Sequence, residues 1–248
     1  MNLNMPFWSS LVAALYTSVG HGGASGYLAL MSLTGTPHQT MAGTALVLNL
    51  CAAGTAWAMF TSAGHGARWL LWPFVAGSVP AAIIGGWMPV KASVYEWCLA
   101  AALLAAAVRL VIIRSGEQYR GAFAPPASWL SGIVGAGIGW LSGIVGVGGG
   151  IFLSPLMLLC RWADAKQTAA ASAGFIVLNS LAGLGGRLAA GTLRVDASLP
   201  SLAVAVLLGG GIGSYTGAYR WPHTTLRRVL ALVLVVAAAK AAMGAVHA

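Results

Sequence analysis

The chain has 248 residues, 58% of them hydrophobic and only 7% charged, with a mean hydropathy of +0.83 and a formal net charge of +9. A soluble domain carries about 25% charged residues, so the composition excludes an ordinary soluble enzyme and implies an all-α integral membrane protein. Its basic residues sit in short loops between apolar runs, where orientation and lipid headgroups account for them, so no nucleic-acid partner is expected.

The N-terminus, MNLNMPFWSS, has no Lys or Arg ahead of the first apolar run, so it lacks the basic flank of a cleaved signal peptide and reads as part of the mature chain. Residues 7–19 form an apolar run of thirteen, too short to span; GHGG follows at 20–23, then a second short run at 24–33. Five runs without Lys, Arg, Asp or Glu come next, at 41–61, 69–88, 129–147, 168–186 and 199–219. Each is close to the roughly 20 residues a helix needs to cross a bilayer core. Runs 93–113 and 226–246 are as apolar but carry Glu96 and Arg109, and Lys240. Arg109 and Lys240 lie near segment ends, where snorkelling explains them, and Glu96 reads as interfacial. Cys51, Cys98 and Cys160 have neither CxxC nor metal-ligand spacing, so no disulfide framework, metal or other cofactor is expected.

The stretch GIVGVGGGIFLSP, residues 143–155, packs five glycines into eight residues (Gly143, Gly146, Gly148, Gly149 and Gly150). Each costs about 1 kcal/mol relative to Ala inside a helix, so the helix is expected to open there. At membrane depth an open backbone survives only where protein or a water-filled cavity surrounds it. Superposing Gly20 to Gly23 on Gly146 to Gly149, at an offset of 126, also aligns Leu30 and Met31 with Leu156 and Met157. With a loop two residues longer in the second half, Gln39-Thr40 aligns with Gln167-Thr168, Gly43-Thr44-Ala45 with Ala171-Ser172-Ala173, and VLN recurs at 47–49 and 177–179. The chain therefore reads as two four-segment repeats, 1–118 and 119–248, about eight hydrophobic segments in one transmembrane domain.

Internal repeats with broken helices at equivalent positions are a mark of secondary transporters. If all eight segments cross, Lys and Arg divide seven against six; if the glycine-broken segments are re-entrant hairpins, they divide nine against four. The positive-inside rule favours the hairpins, which makes the two halves inverted and puts Thr36 outside and Ala163 in the cytoplasm. Simple alternation would put both on one side.

The ordered motifs GVGGGIFLSPLMLL and QTAAASAGFIVLNSLAG, with a weaker copy near the N-terminus, resemble the sulfite exporter TauE/SafE family of bacterial inner-membrane transporters. The resemblance covers most of the chain and implies export of sulfite or an organosulfonate such as sulfoacetate. The first repeat departs from the pattern: His21 stands within GHGG, Ser25 lies at or beside the third glycine, and Ala29 takes the place of Pro155.

A small oxyanion needs hydrogen-bond donors, and a half-helix starting after a glycine break offers free N–H groups and the positive end of its dipole. Such starts are expected near Ala24 and Ile151. Candidate binding residues are Gly22, Gly23, Ser25, Gln39, Thr40, Thr44 and Asn49 in the first half, and Gly148, Gly149, Gly150, Gln167, Thr168, Ser172 and Asn179 in the second. Ser172 and Asn179, seven apart, share a helical face and lead this set; Thr44 and Asn49, five apart, share one less well. Against this, membrane glycines often serve close packing, buried Ser, Thr and Asn often bond between helices, and His21 fits a structural role. No carboxylate lies in the middle of a run, which points to potential-driven export of the anion by alternating access. The lesser options are proton coupling through His21 or Glu96 and an anion channel. A distant option is an intramembrane serine protease, from the GASG at 23–26, whose chemistry needs a downstream histidine base that the predicted helices do not supply.

Overall fold

In a computed structural model, residues 5–88, 123–124, 126–222, 225 and 228 are described, and among them the secondary structure is entirely helical. The helices are α1 (Met5–Thr17), α2 (Ala24–Leu33), α3 (His38–Phe60), α4 (Arg68–Trp87), α5 (Ser128–Val145), α6 (Gly150–Leu159), α7 (Ala165–Ala189) and α8 (Leu199–Tyr215). Single π turns, Thr61–His65 and Thr216–Arg220, extend α3 and α8. Among the described residues, five spans are long and apolar enough to cross a membrane: Thr40–His65, Arg68–Trp87, Ser128–Val145, Ala165–Ala189 and Leu199–Arg220. The sequence runs at 93–113 and 226–246, with Glu96, Arg109 and Lys240, lie outside the described residues.

Local sequence sets where the helices stop. Left-handed backbone at Gly146 (φ 78°), Gly148 (φ 78°) and Gly149 (φ 76°) separates α5 from α6, and Gly20 (φ 79°) with Gly23 (φ 91°) separates α1 from α2. A side chain there would cost about 1–2 kcal/mol per residue, which is why the glycine clusters are where the chain turns. At the start of α7 the Asp164 carboxylate accepts the N–H groups of Lys166 (2.8 Å) and Gln167 (2.9 Å), and Gln167 Oε1 accepts the Asp164 N–H (3.4 Å), a complete capping box.

Both broken segments fold back on themselves. Thr34 Oγ1, just past α2, donates to Met5 Sδ at 3.6 Å, and Ala124 N, ahead of α5, donates to Arg161 O at 3.4 Å, just past α6. Each pair of helices is thus a hairpin whose two open ends meet and whose tip is the glycine break. The hairpins dock through small residues four apart. A Cβ on Gly135, Gly139 or Gly143 of α5 would collide with the carbonyls of Phe74, Ser78 and Ala82 of α4, so these two helices run parallel in near-backbone contact. Gly209, Gly213 and Gly217, at and just beyond the end of α8, meet the carbonyls of Ser10, Ala14 and Ser18 on and just beyond α1 in the same way.

Between the hairpins, α3 and α7 cross antiparallel: Leu46 packs on Gly183 at one end, and Trp57 approaches Gly174 at the other. The loop before α3, with Thr36, and the loop before α7, with Ala163, therefore lie at opposite ends of the bundle. The packing is reciprocal: α4 lies on α5 and α7, while α8 lies on α1 and α3. Alanines carry much of the centre, with Ala45, Ala52, Ala56, Ala169, Ala170 and Ala173 all buried. Large apolar side chains such as Val204, Leu208 and Ile212 of α8 stay exposed, as on a lipid-facing surface.

Candidate functional site: two hairpin tips meeting at the centre

The tip of the first hairpin (residues 19–23) and that of the second (146–149) meet halfway along α3 and α7, around Asn49 and Ile176. Asn49 is wholly buried; its Oδ1 accepts the Ala24 N–H at 3.1 Å and its Nδ2 donates to Val147 O at 3.0 Å. One side chain thereby caps the first residue of α2 and holds the tip of the opposite hairpin. Ile176 reaches the same place from α7: its Cγ2 would lie 3.1 Å from a Cβ on Gly22 and 2.8 Å from one on Gly148.

The tips are unequally satisfied. Among the described residues, no acceptor meets the N–H groups of five consecutive residues of the second tip, Val147, Gly148, Gly149, Gly150 and Ile151. Buried amides are nearly always paired, so a run of five beside the positive end of α6 is a concentrated donor surface. Two serines lie beside it. Ser180 Oγ would lie 3.1 Å from a Cβ on Gly148, and Ser142 Cβ 3.3 Å from one on Gly149. Both serines are 0% exposed and neither hydroxyl has a partner. In the first tip the chain satisfies more of itself: His21 N donates to Tyr16 O (2.9 Å), Gly20 N to Thr17 O (3.0 Å) and Ala24 N to Asn49, while the Gly22 and Gly23 amides lack an acceptor. The Tyr27 hydroxyl, buried and unpartnered, lies beneath Gly23, 3.0 Å from where its Cβ would be.

A family model described as Sulfite exporter TauE/SafE matches residues 6–241 of this chain. The chain belongs to the sulfite exporter TauE/SafE family. It is also 34% identical over 232 residues, covering 93% of its own length and 94% of the relative's, to "Probable membrane transporter protein y4hK" of Sinorhizobium fredii (strain NBRC 101917 / NGR234). No solved structure matches it. With five apolar helices of spanning length among its described residues, this TauE/SafE chain is a multi-pass membrane transporter.

Within this TauE/SafE chain the expected site residues fall into groups. Gly22, Gly23, Asn49, Gly148, Gly149 and Gly150 come together at the tips. Ser172 lies one turn away, its hydroxyl accepting from Ser154 Oγ at 2.6 Å. Asn179 turns from the tips toward α4: its Nδ2 donates to Ser78 Oγ (3.0 Å) and Phe175 O (2.8 Å), and its buried Oδ1 is unpartnered. Thr168 is buried with an unpartnered hydroxyl. His21 is buried, with Nδ1 3.2 Å from Val19 O and Nε2 unpartnered.

Other candidates lie away from the tips or outside the described residues. Thr44 Oγ1 donates to Thr40 O (2.7 Å) and accepts the Asp196 N–H (2.8 Å), fastening α3 to the α7–α8 loop. Thr40 Oγ1 donates to Pro37 O (2.9 Å) at the helix start, where Gln39 also lies. Gln167 belongs to the capping box, and Ser25 Oγ pairs with the Tyr16 hydroxyl at 3.0 Å. Glu96 lies outside the described residues.

Three residues at the second tip were not singled out by sequence. Ser142 and Ser180 read there as ordinary small packing residues, although Ser142 lies four before Gly146 and Ser180 four after Ile176. Arg187, in the last turn of α7, donates Nη2 to Ile144 O at 2.8 Å and to Gly143 O at 3.4 Å. It thus caps the carbonyl end of α5 just ahead of the break. Its Nε is buried without a partner, and among the described residues no ion pair is shown for it.

Proposed function

We propose that this transporter exports a small oxyanion, sulfite or an organosulfonate such as sulfoacetate, across the bacterial inner membrane by alternating access. The observation that carries the proposal is the second tip: five unpartnered amides at the start of α6 beside two buried serines with unpartnered hydroxyls, and no carboxylate around it among the described residues. Such a set offers donors and positive potential to an oxyanion. The family and the y4hK relative, named a probable membrane transporter, support the transport class.

The halves 1–118 and 119–248 are proposed to be inverted repeats, each with a re-entrant hairpin as its first element. This rests on the closed ends of both hairpins, the antiparallel α3 and α7, and the exchange of α4–α5 for α8–α1 packing. Outward passage of a monoanion gains about 2.3 kcal/mol per 100 mV when the cytoplasm is negative, so no coupling ion is needed. Proteoliposomes loaded with sulfite test this: a potassium-diffusion potential, inside negative, is expected to drive saturable efflux at equal pH on both sides. Efflux that needs an imposed pH gradient rejects the uniport.

A further inference from the structure

The two tips share a motif, but they are not equally open, and one side chain makes the difference. VLN ends in Asn49 on α3 and in Asn179 on α7, so a symmetric molecule would cap both half-helices alike. Only Asn49 does so: its Oδ1 takes the Ala24 amide and crowds the place of a Gly22 Cβ. Asn179 spends its amide on Ser78 and Phe175, and no side chain caps α6.

The other end of Asn49 acts across the repeat. Its Nδ2 holds Val147 O at 3.0 Å. In a planar trans peptide the C=O and the following N–H point in opposite directions, so fixing the Val147 carbonyl toward Asn49 turns the Gly148 N–H away from it. The left-handed Gly148 and Gly149 (φ 78° and 76°) then carry the next amides into the concave run that anions occupy. Glycines rotate freely, so without this tie the Val147–Gly148 peptide has little else to keep it from flipping.

We propose that Asn49 makes the tips unequal: it fills the first with its own amide and orients the Val147–Gly148 peptide of the second, which alone takes the oxyanion. Asn49 is a positioning residue for a cradle in the other half of the chain. This rests on the anion-carrier reading above, deepens it to one anion per chain, and assigns the ligand to donors from residues 147–151, Ser142 and Ser180.

Two experiments test it. Asn49→Asp keeps an acceptor for Ala24 N but loses the donor to Val147 O, whereas Asn49→Ala loses both. Sulfite flux in proteoliposomes is expected to show KM raised about tenfold in both variants, the size of one lost polar contact to an anion site. The maximal rate is expected to change little. If Asn49→Asp keeps the wild-type KM while Asn49→Ala does not, only the α2 cap matters and the proposal fails.

The second experiment needs no variant. In ¹⁵N-glycine-labelled wild-type protein in bilayers, sulfite is expected to shift the amide resonances of Gly148, Gly149 and Gly150 and to leave those of Gly22 and Gly23 in place. Equal shifts at both tips overturn the asymmetry while leaving the carrier reading intact. Shifts at neither tip, in protein that transports sulfite, overturn both the asymmetry and the proposed site.

Discussion

The first hairpin tip meets more of its own hydrogen-bonding groups than the second does. Around residues 19–24 the open backbone closes onto neighbouring carbonyls and onto Asn49, leaving the Gly22 and Gly23 amides, the Tyr27 hydroxyl and His21 Nε2 without partners; around 147–151 five consecutive amides are left, beside the unpartnered hydroxyls of Ser142 and Ser180. An unmade hydrogen bond at a buried group costs about 1–3 kcal/mol. On the proposed reading, the second tip holds these donors for an anion that comes and goes. The comparison teaches that a duplicated motif sets where a chain breaks, whereas the side chains around each break decide which one stays available.

The sharpest way to break this contrast is Gly148→Ala. The new Cβ would sit in left-handed backbone, 2.8 Å from Ile176 Cγ2 and 2.9 Å from Asn49 Nδ2, in the middle of the donor run. Sulfite flux is expected to be lost, with a stability loss of about 1–2 kcal/mol from the backbone alone, read by thermal unfolding of the purified protein. Next comes the pair Ser142→Ala with Ser180→Ala. Each hydroxyl bonded to an anion contributes about 1.5–3 kcal/mol, so each single change is expected to raise KM by roughly ten- to a hundredfold and the pair more. Because both hydroxyls are unpartnered in the protein, the melting temperature is expected to hold or rise. A substantial fall in melting temperature would mean that they hold the fold rather than a ligand.

Arg187→Ala removes the donor to Ile144 and Gly143 at the end of α5. A destabilisation of about 1–2 kcal/mol is expected, with a smaller rise in KM because the hairpin tip loosens without losing a direct contact. Equilibrium unfolding in detergent measures the first, and flux measures the second. The smallest effect is expected from Thr44→Val, which takes the acceptor from Asp196 N in the loop between α7 and α8. About 1 kcal/mol of stability is lost, and the KM for sulfite stays at the wild-type value.

Much of this architecture can be read from residues alone. Glycine clusters at 20–23 and 143–150 mark the breaks because left-handed backbone excludes other residues, and the half-helices begin at Ala24 and Gly150. The inequality of the tips is hidden because it depends on direction rather than residue type. Asn49 and Asn179 end the same three-residue motif, yet one reaches across to Val147 and the other is drawn off by Ser78 of α4. Spacing from Thr44 said little about Asn49, since Thr44 is turned toward Asp196 in the loop after α7. Ser142 and Ser180 are unremarkable among small residues in a glycine-rich chain, and they acquire meaning only once the second tip is seen to lack acceptors. Many glycines that could have been binding residues are packing surfaces instead: Gly135, Gly139 and Gly143 let α5 touch α4, and Gly209 and Gly213 let α8 touch α1.

The most direct test is counterflow of ³⁵S-sulfite into proteoliposomes preloaded with unlabelled sulfite, comparing wild type with the Ser142→Ala, Ser180→Ala pair. The account predicts transient, saturable accumulation by the wild type, and a half-saturating sulfite concentration many times higher in the double variant. Uptake that never saturates, or identical saturation in the two proteins, would contradict a carrier whose oxyanion sits in the second tip.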